Sequence, residues 1–196
     1  MMSMTTAETG TDRDVVDLLL EQHDEIKSLF SELQRVEGPA KRELFEDLVR
    51  LLAMHESAEE TVVHPVARRK LEDGEQVVEQ RLEEEDQAKK ELADLYDMGV
   101  DHPDFDRRLA AFAEDVIQHA TREEADEFLR LRSAVDADQL RRMAGALKAA
   151  ETAAPTRPHP NAPESAAGNV LTGPPMAVFD RVRDAVRDWR QKNPDD

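Results

Sequence analysis

The chain has 196 residues, with 26 Lys and Arg against 44 Asp and Glu, a formal net charge of −18, and no cysteine. The missing cysteine excludes disulfides, thiolate zinc sites, iron–sulfur ligation and thiol nucleophiles. The acidity argues against nucleic acid and anionic membrane surfaces as partners, since both need a basic footprint.

The start, MMSMTTAETG, has neither a basic n-region nor an apolar h-region, and nowhere do about 18 apolar residues run together. A soluble, cytoplasmic protein with no membrane span is therefore expected. The composition is poor in β-branched and aromatic residues and rich in Ala, Leu, Glu, Asp and Arg, which favours helix through about the first 150 residues. Residues 1–11 are expected to be disordered. A first helix is predicted to open at Thr11, where Thr11-x-x-Asp14 resembles a capping box, and to carry Val16, Leu19, Leu20, Ile26, Leu29, Phe30 and Leu33 at helical spacing until Gly38-Pro39 ends it. A second, over residues 40–64, buries Leu44, Phe45, Leu48, Leu51, Leu52, Val62 and Val63, and Pro65 ends or kinks it by removing a backbone donor. Gly74 marks a turn. The third helix covers residues 75–98 and the fourth 103–132, separated by Gly99 and the Asp101-His102-Pro103 turn. Four antiparallel helices with short connections make an all-α, up-down four-helix bundle over residues 12–135.

An additional helix is expected over residues 136–152. Residues 153–175 hold six of the ten prolines and two of the seven glycines and read as an extended linker. In residues 176–196, Val178, Phe179, Val182, Val186 and Trp189 fall on one helical stripe, with Arg181, Arg183, Arg187 and Arg190 largely elsewhere. This amphipathic helix and tail is expected to dock on the bundle, on a second copy or on a protein partner.

The segment QHDEIKSLFSEL from Gln22 aligns with EEDQAKKELADL from Glu84 at an offset of 62, matching His23 to Glu85. His55-x-x-x-Glu59-Glu60 returns as His119-x-x-x-Glu123-Glu124 at an offset of 64. Two helix-pair units are thus related by pseudo-symmetry. Four residues advance a helix by about 400°, so each His and its Glu lie one turn apart on one face. That face is the apolar one: His55 follows Leu48, Leu51 and Leu52, His119 follows Phe112 and Val116, His23 follows Val16, Leu19 and Leu20, and Glu85 follows Val78 and Leu82. His23, His55, Glu59, Glu85, His119 and Glu123 are therefore expected to converge inside the bundle.

Burying three carboxylates without counter-charge would cost several kcal/mol each, a cost that a pair of divalent cations removes. Mixed imidazole and carboxylate donors suit iron or manganese better than calcium, and zinc or cobalt fits the same donors. Glu85 has a competing reading, as a helical salt-bridge partner of Arg81 and Lys89 at minus four and plus four. Glu60 and Glu124, about 140° round from their histidines, and Glu56, about 100° round, read as solvated or as outer partners. His64, about 180° from His55, should face away, while Asp126, seven after His119, falls on the inner stripe. Tyr96 shares the Glu85 stripe and reads as core, His102 belongs to a turn and His159 to the linker.

These residues resemble the hemerythrin-like, or HHE cation-binding, domain family, over about residues 12–132 and with His23, His55-x-x-x-Glu59-Glu60, Pro65 and His119-x-x-x-Glu123-Glu124 in the expected order. The resemblance implies an up-down bundle around two non-haem iron ions (Fe2+/Fe3+) joined by two carboxylates and an oxo or hydroxo group. Glu59 and Glu123 would bridge, His23 and His55 would hold one iron, and His119 with Glu85 the other. It departs in the third helix, where oxygen-carrying hemerythrins use two His one turn apart and this chain has Arg81 and Glu85. An anionic oxygen ligand there favours ferric iron, and a lost ligand leaves an open coordination position. The resemblance therefore implies binding or catalase- or peroxidase-like decomposition of peroxide in redox defence. The alternatives are a sensor of oxygen, nitric oxide or iron without turnover, and a metal-free helical scaffold.

Overall fold

The computed structural model describes residues 13–153 and 175–193, with side chains for 13–152 and 184–193. The described residues are helical and contain no strand. Helix α1 spans Val15–Leu33 and α2 spans Gly38–Ala58, running through a π-helical turn, Glu59–Val63, into α3, His64–Lys70. Helix α4 is Gly74–Met98. Helix α5, Phe105–Arg122, passes through a second π-helical turn, Glu123–Phe128, into α6, Leu129–Ala134. Helices α7, Ala137–Ala153, and α8, Pro175–Lys192, complete the order.

The up-down four-helix bundle is built from α1, α2–α3, α4 and α5–α6. Leu19, Leu29, Leu33, Leu48, Leu95, Phe105 and Leu131 are all but fully buried within it. Helix α7 packs on α1 and α2, and α8 packs on α2 and α7. Covered from both sides, α2 is buried without interruption from Leu48 to Glu59, Arg50 and Glu56 included. The C-terminal amphipathic stripe thus docks on the bundle: Val186 is buried, and the Trp189 ring lies where a β-carbon on Gly145 would come within 2.8 Å of it. Gly74 is required for a similar reason, because a β-carbon there would collide with the Ala67 carbonyl and the Arg68 backbone. The Val178, Phe179 and Val182 side chains on that stripe, residues 154–174 of the expected linker with His159, and residues 1–11 fall outside what is described, while the two ends of the expected linker, Ala153 and Pro175, are helical.

Several helix ends differ from expectation. Helix α1 is capped by Asp14, not Thr11: Asp14 Oδ1 accepts from the Asp17 N–H at 3.0 Å, and Asp17 Oδ2 accepts from the Asp14 N–H at 3.1 Å. The capping pattern lies three residues later, and Arg132 from the end of α6 donates to Asp14 and Asp17 across the bundle. Gly38-Pro39 opens α2 rather than closing α1, with Gly38 at φ +60° and Pro39 in the first turn, where its missing donor is harmless. Pro65 does not end the second helix. It sits in the first turn of α3, directly after the wide π turn, and the Thr61 carbonyl four residues back accepts a hydrogen bond from Arg190 of α8.

Candidate metal centre

His23 comes from α1, His55 and Glu59 from the junction of α2 with the first π turn, Glu85 from α4, and His119 and Glu123 from the junction of α5 with the second. All six are buried, and Glu59, Glu85 and Glu123 are 0% exposed. The structure brings them into two groups, His23, His55, Glu59, Glu123 and Glu59, Glu85, His119, Glu123, each with one donor atom per residue within 4.8 Å of the others. Glu59 and Glu123 are common to both groups. His55 Nε2 lies 3.5 Å from Glu59 Oε2, and its repeat counterpart His119 Nε2 lies 3.1 Å from Glu123 Oε1. Glu123 Oε2 also reaches within 3.3 Å of His23 Nε2.

Each imidazole is held from behind through Nδ1. His23 Nδ1 donates to Glu124 Oε1 at 2.9 Å, His119 Nδ1 to Glu84 Oε2 at 2.7 Å, and His55 Nδ1 to Gln22 Oε1 at 2.8 Å. The Gln22 amide is oriented in turn by donating to Glu151 Oε1 of α7 at 2.8 Å. These acceptors assign the ring hydrogens to Nδ1 and leave the Nε2 lone pairs turned inward. The Nε2 atoms of His23 and His55 then face one another at 3.1 Å, lone pair to lone pair. Both oxygens of Glu59, both of Glu123, Glu85 Oε2 and His119 Nε2 are buried without a hydrogen-bond partner. Orphaned acceptors converging at one point are unfavourable unless a proton or a cation sits among them.

Electrostatics shows the same conflict. Burial, reinforced by Glu123 and Glu85, pushes Glu59 well above the usual carboxylate range. Burial also drives His55 down to about 3, helped by the charge of His23. His119 goes the other way, to about 11, because the Glu123 charge and the Glu84 hydrogen bond outweigh its burial. Glu123 is correspondingly held well below its usual range, as the His119 charge overcomes burial. In the absence of a cation these surroundings favour a proton on His119 and on Glu59 and disfavour one on His55 and on Glu123.

His64, expected to face outward, is 3% exposed and lies between two buried carboxylates. Its Nε2 is 2.6 Å from Glu85 Oε1 and its Nδ1 is 3.3 Å from Glu127 Oε1. Those bonds outweigh burial and raise it to about 10. The difference comes from the π turn, Glu59–Val63. One wide turn takes up an extra residue, so everything after it is set back by about 100° relative to an unbroken α-helix, which carries His64 inward. The second π turn has the same effect: Asp126 is exposed, and Glu127, 0% exposed, takes the inner place.

Glu124 and Glu60 are outer partners, Glu124 of His23 and Lys27 and Glu60 of Lys89. Arg81 binds Glu84 Oε2 at 2.6 Å, so the helical partner of Glu85 is Lys89 alone, at 3.8 Å. Tyr96 packs on the core and the His102 ring accepts from the Asp104 N–H.

The sequence profile of the hemerythrin HHE cation-binding domain matches residues 14–131. The chain belongs to this family. A crystal structure of a hemerythrin HHE cation-binding domain-containing protein from Mycobacterium kansasii superposes with a TM-score of 0.67 at 18% identity, over 86% of this chain and 99% of that one, which supports the shared fold. A protein from Nostoc sp. (strain PCC 7120) named DNA nickase is 26% identical over 151 residues, 76% of this chain but 42% of the relative, so this chain spans less than half of that protein. This HHE domain is a metal-binding, hemerythrin-like protein, and among its described residues no helix is long and apolar enough to cross a membrane.

Proposed function

We propose that this HHE domain holds two iron ions and binds or decomposes peroxide in cytoplasmic redox defence. Glu59 and Glu123 would be shared, His23 and His55 would complete one position, and His119 with Glu85 the other. The observation that carries this reading is the set of partnerless acceptors: all four oxygens of Glu59 and Glu123 are buried and unsatisfied between imidazoles whose Nδ1 atoms are already committed. Such a donor set suits iron, with manganese or zinc as competitors. When bound, a redox-active pair would supply the electrons that peroxide accepts on reduction and take up those it releases on oxidation. The protein contributes imidazoles locked at Nδ1 and a water-poor interior.

Arg81, one turn before Glu85, is committed to Glu84 and brings no donor, which favours one open position on the Glu85 side. The test is elemental analysis and the absorption spectrum of protein made in iron-replete medium, followed by peroxide consumption. About two irons per chain with near-ultraviolet charge-transfer absorption and peroxide turnover supports the reading, and a folded, colourless protein that takes up no ferrous iron refutes it. A sensor of oxygen, nitric oxide or iron is the second reading. It is favoured by the bond from Arg190 of α8 to Thr61 in the π turn that carries Glu59, and full metal loading without turnover would select it. The partnerless acceptors count against a metal-free scaffold, and the net charge of −18 counts against carrying DNA nicking over from the longer relative.

A further inference from the structure

An open cleft of about 620 Å³ lies between α4 and α5. Its walls carry Glu83, Glu84, Glu91 and Asp115 against one cation, Arg122, and it narrows onto Glu56, Val116 and His119. The same three residues line a second, smaller void of about 10 Å³ whose other walls include His23 and His55, and which also reaches Lys27 and Ile117 at the α1–α5 surface. Glu56 therefore stands where the outer cleft meets the space between the imidazoles.

Glu56 is 5% exposed, and its Oε2 is buried with no hydrogen-bond partner. The fold does not demand a carboxylate there. At the pseudo-symmetric position, 64 residues on, the other repeat has a buried alanine, Ala120. Two of the wall carboxylates are already neutralised, Glu84 by Arg81 and Arg122, and Glu91 by Arg108. Glu83 and Asp115 are exposed and make no ion pair among the described residues. A hydrated cation thus meets free negative charge at the mouth, and one buried carboxylate with a vacant oxygen at the inner end.

We infer that the α4–α5 cleft is the route by which a divalent cation reaches the centre, and that Glu56 is the relay carboxylate that strips the cation of water and passes it to the His119 side. This rests on the reading that the six buried His and Glu residues bind metal. Glu56 is a way-station, not a resident ligand, so it governs how fast metal arrives and not how much is finally held. Low-dielectric walls lined by one sign of charge focus the field and speed the arrival of oppositely charged species.

The test uses the metal-free full chain mixed anaerobically with Co2+ in a stopped-flow spectrometer, reading the ligand-field absorption as it develops, with metal per chain measured at equilibrium. Glu56→Gln should slow uptake by about tenfold or more and leave the final stoichiometry unchanged. Glu83→Lys, at the exposed mouth, should also slow uptake and flatten the fall of its rate with added salt. Asp138→Asn, on α7 away from the cleft, is the control and should behave as wild type. Wild-type rates in both cleft variants would overturn the inference. So would a lower final stoichiometry in Glu56→Gln at an unchanged rate, which would make Glu56 a resident ligand. A wild-type chain that binds no Co2+ or Fe2+ at any time would instead remove the metal-centre reading itself.

Discussion

The His64 imidazole reaches from α3 to α4 and places its Nε2 2.6 Å from Glu85 Oε1, while Glu127 takes its other nitrogen. One oxygen of Glu85 is thereby occupied, and the other, Oε2, is buried without a hydrogen bond, with the Lys89 ammonium 3.8 Å away. A carboxylate held this way has one orientation in which to offer an electron pair. Replacing His64 by Leu should free Glu85 to rotate and leave Glu127 buried without its donor. Outer partners of this kind are worth about 10- to 100-fold in metal affinity. The expected outcome is selective weakening of one of two metals in a calorimetric titration, and equal affinity for both in His64→Leu would contradict it.

Glu59 and Glu123 belong to both donor groups, whereas Glu85 belongs to one. Glu59→Ala or Glu123→Ala should therefore empty both positions together, and Glu85→Gln only one. Elemental analysis of the three variants decides the matter. Loss of a single metal from Glu59→Ala would mean that it does not bridge.

Acid should unpick the junction between α1 and α6. Burial raises the Asp14 carboxyl, but the bonds from Arg132 and from the Asp17 N–H outweigh it and hold Asp14 below its usual 3.8. A group depressed in the folded state contributes stability that is present above its unfolded value and lost as pH falls through the folded one. Asp14→Ala should cost about 1 kcal/mol near pH 6, most of it from the cap, because the Arg132 pair is largely solvent-screened. The deficit measured by urea unfolding should shrink steadily below about pH 3.8, and a deficit undiminished at about pH 2.5 would refute this account.

Truncation after Thr152 removes α8 and with it the donor to the Thr61 carbonyl. Among the described residues no donor of the centre lies on α8, so metal content should stay near wild type. The melting temperature of the metal-free form should fall by several degrees, since α2 loses part of its cover and a backbone acceptor loses its partner. A truncated chain that stays helical yet holds no metal would show that the π turn needs α8 to place Glu59.

The six converging residues were legible because the duplicated His-x-x-x-Glu and the apolar stripes ahead of it depend only on short stretches of regular helix. His23, His55, Glu59, Glu85, His119 and Glu123 all lie before the phase breaks, or at the residue where it breaks. His64, Asp126 and Glu127 lie beyond it, and there a uniform 100° per residue puts side chains on the wrong face. Nothing in the residue types of Glu59–Val63 announces a wide turn. Pro65 signals an end or a kink, but which of the two it brings depends on the π turn just before it and on Arg190, which bonds the Thr61 carbonyl and is remote in sequence. Glu56 was harder to place because its burial depends on how α4 and α5 pack against α2, with Val116, His119 and Ala88 around it, and spacing along α2 alone does not show that.

Trp189 is the sole tryptophan of the chain, and it rests on Gly145 of α7. Its emission is consequently a single-site gauge of whether the last helix is seated, while circular dichroism is dominated by the bundle helices. Unfolding followed by fluorescence and by ellipticity would coincide only if undocking and bundle melting are one event. A chain whose fluorescence shifts before its helicity falls has two cooperative units, and a melting point taken from the indole alone would describe the smaller of them.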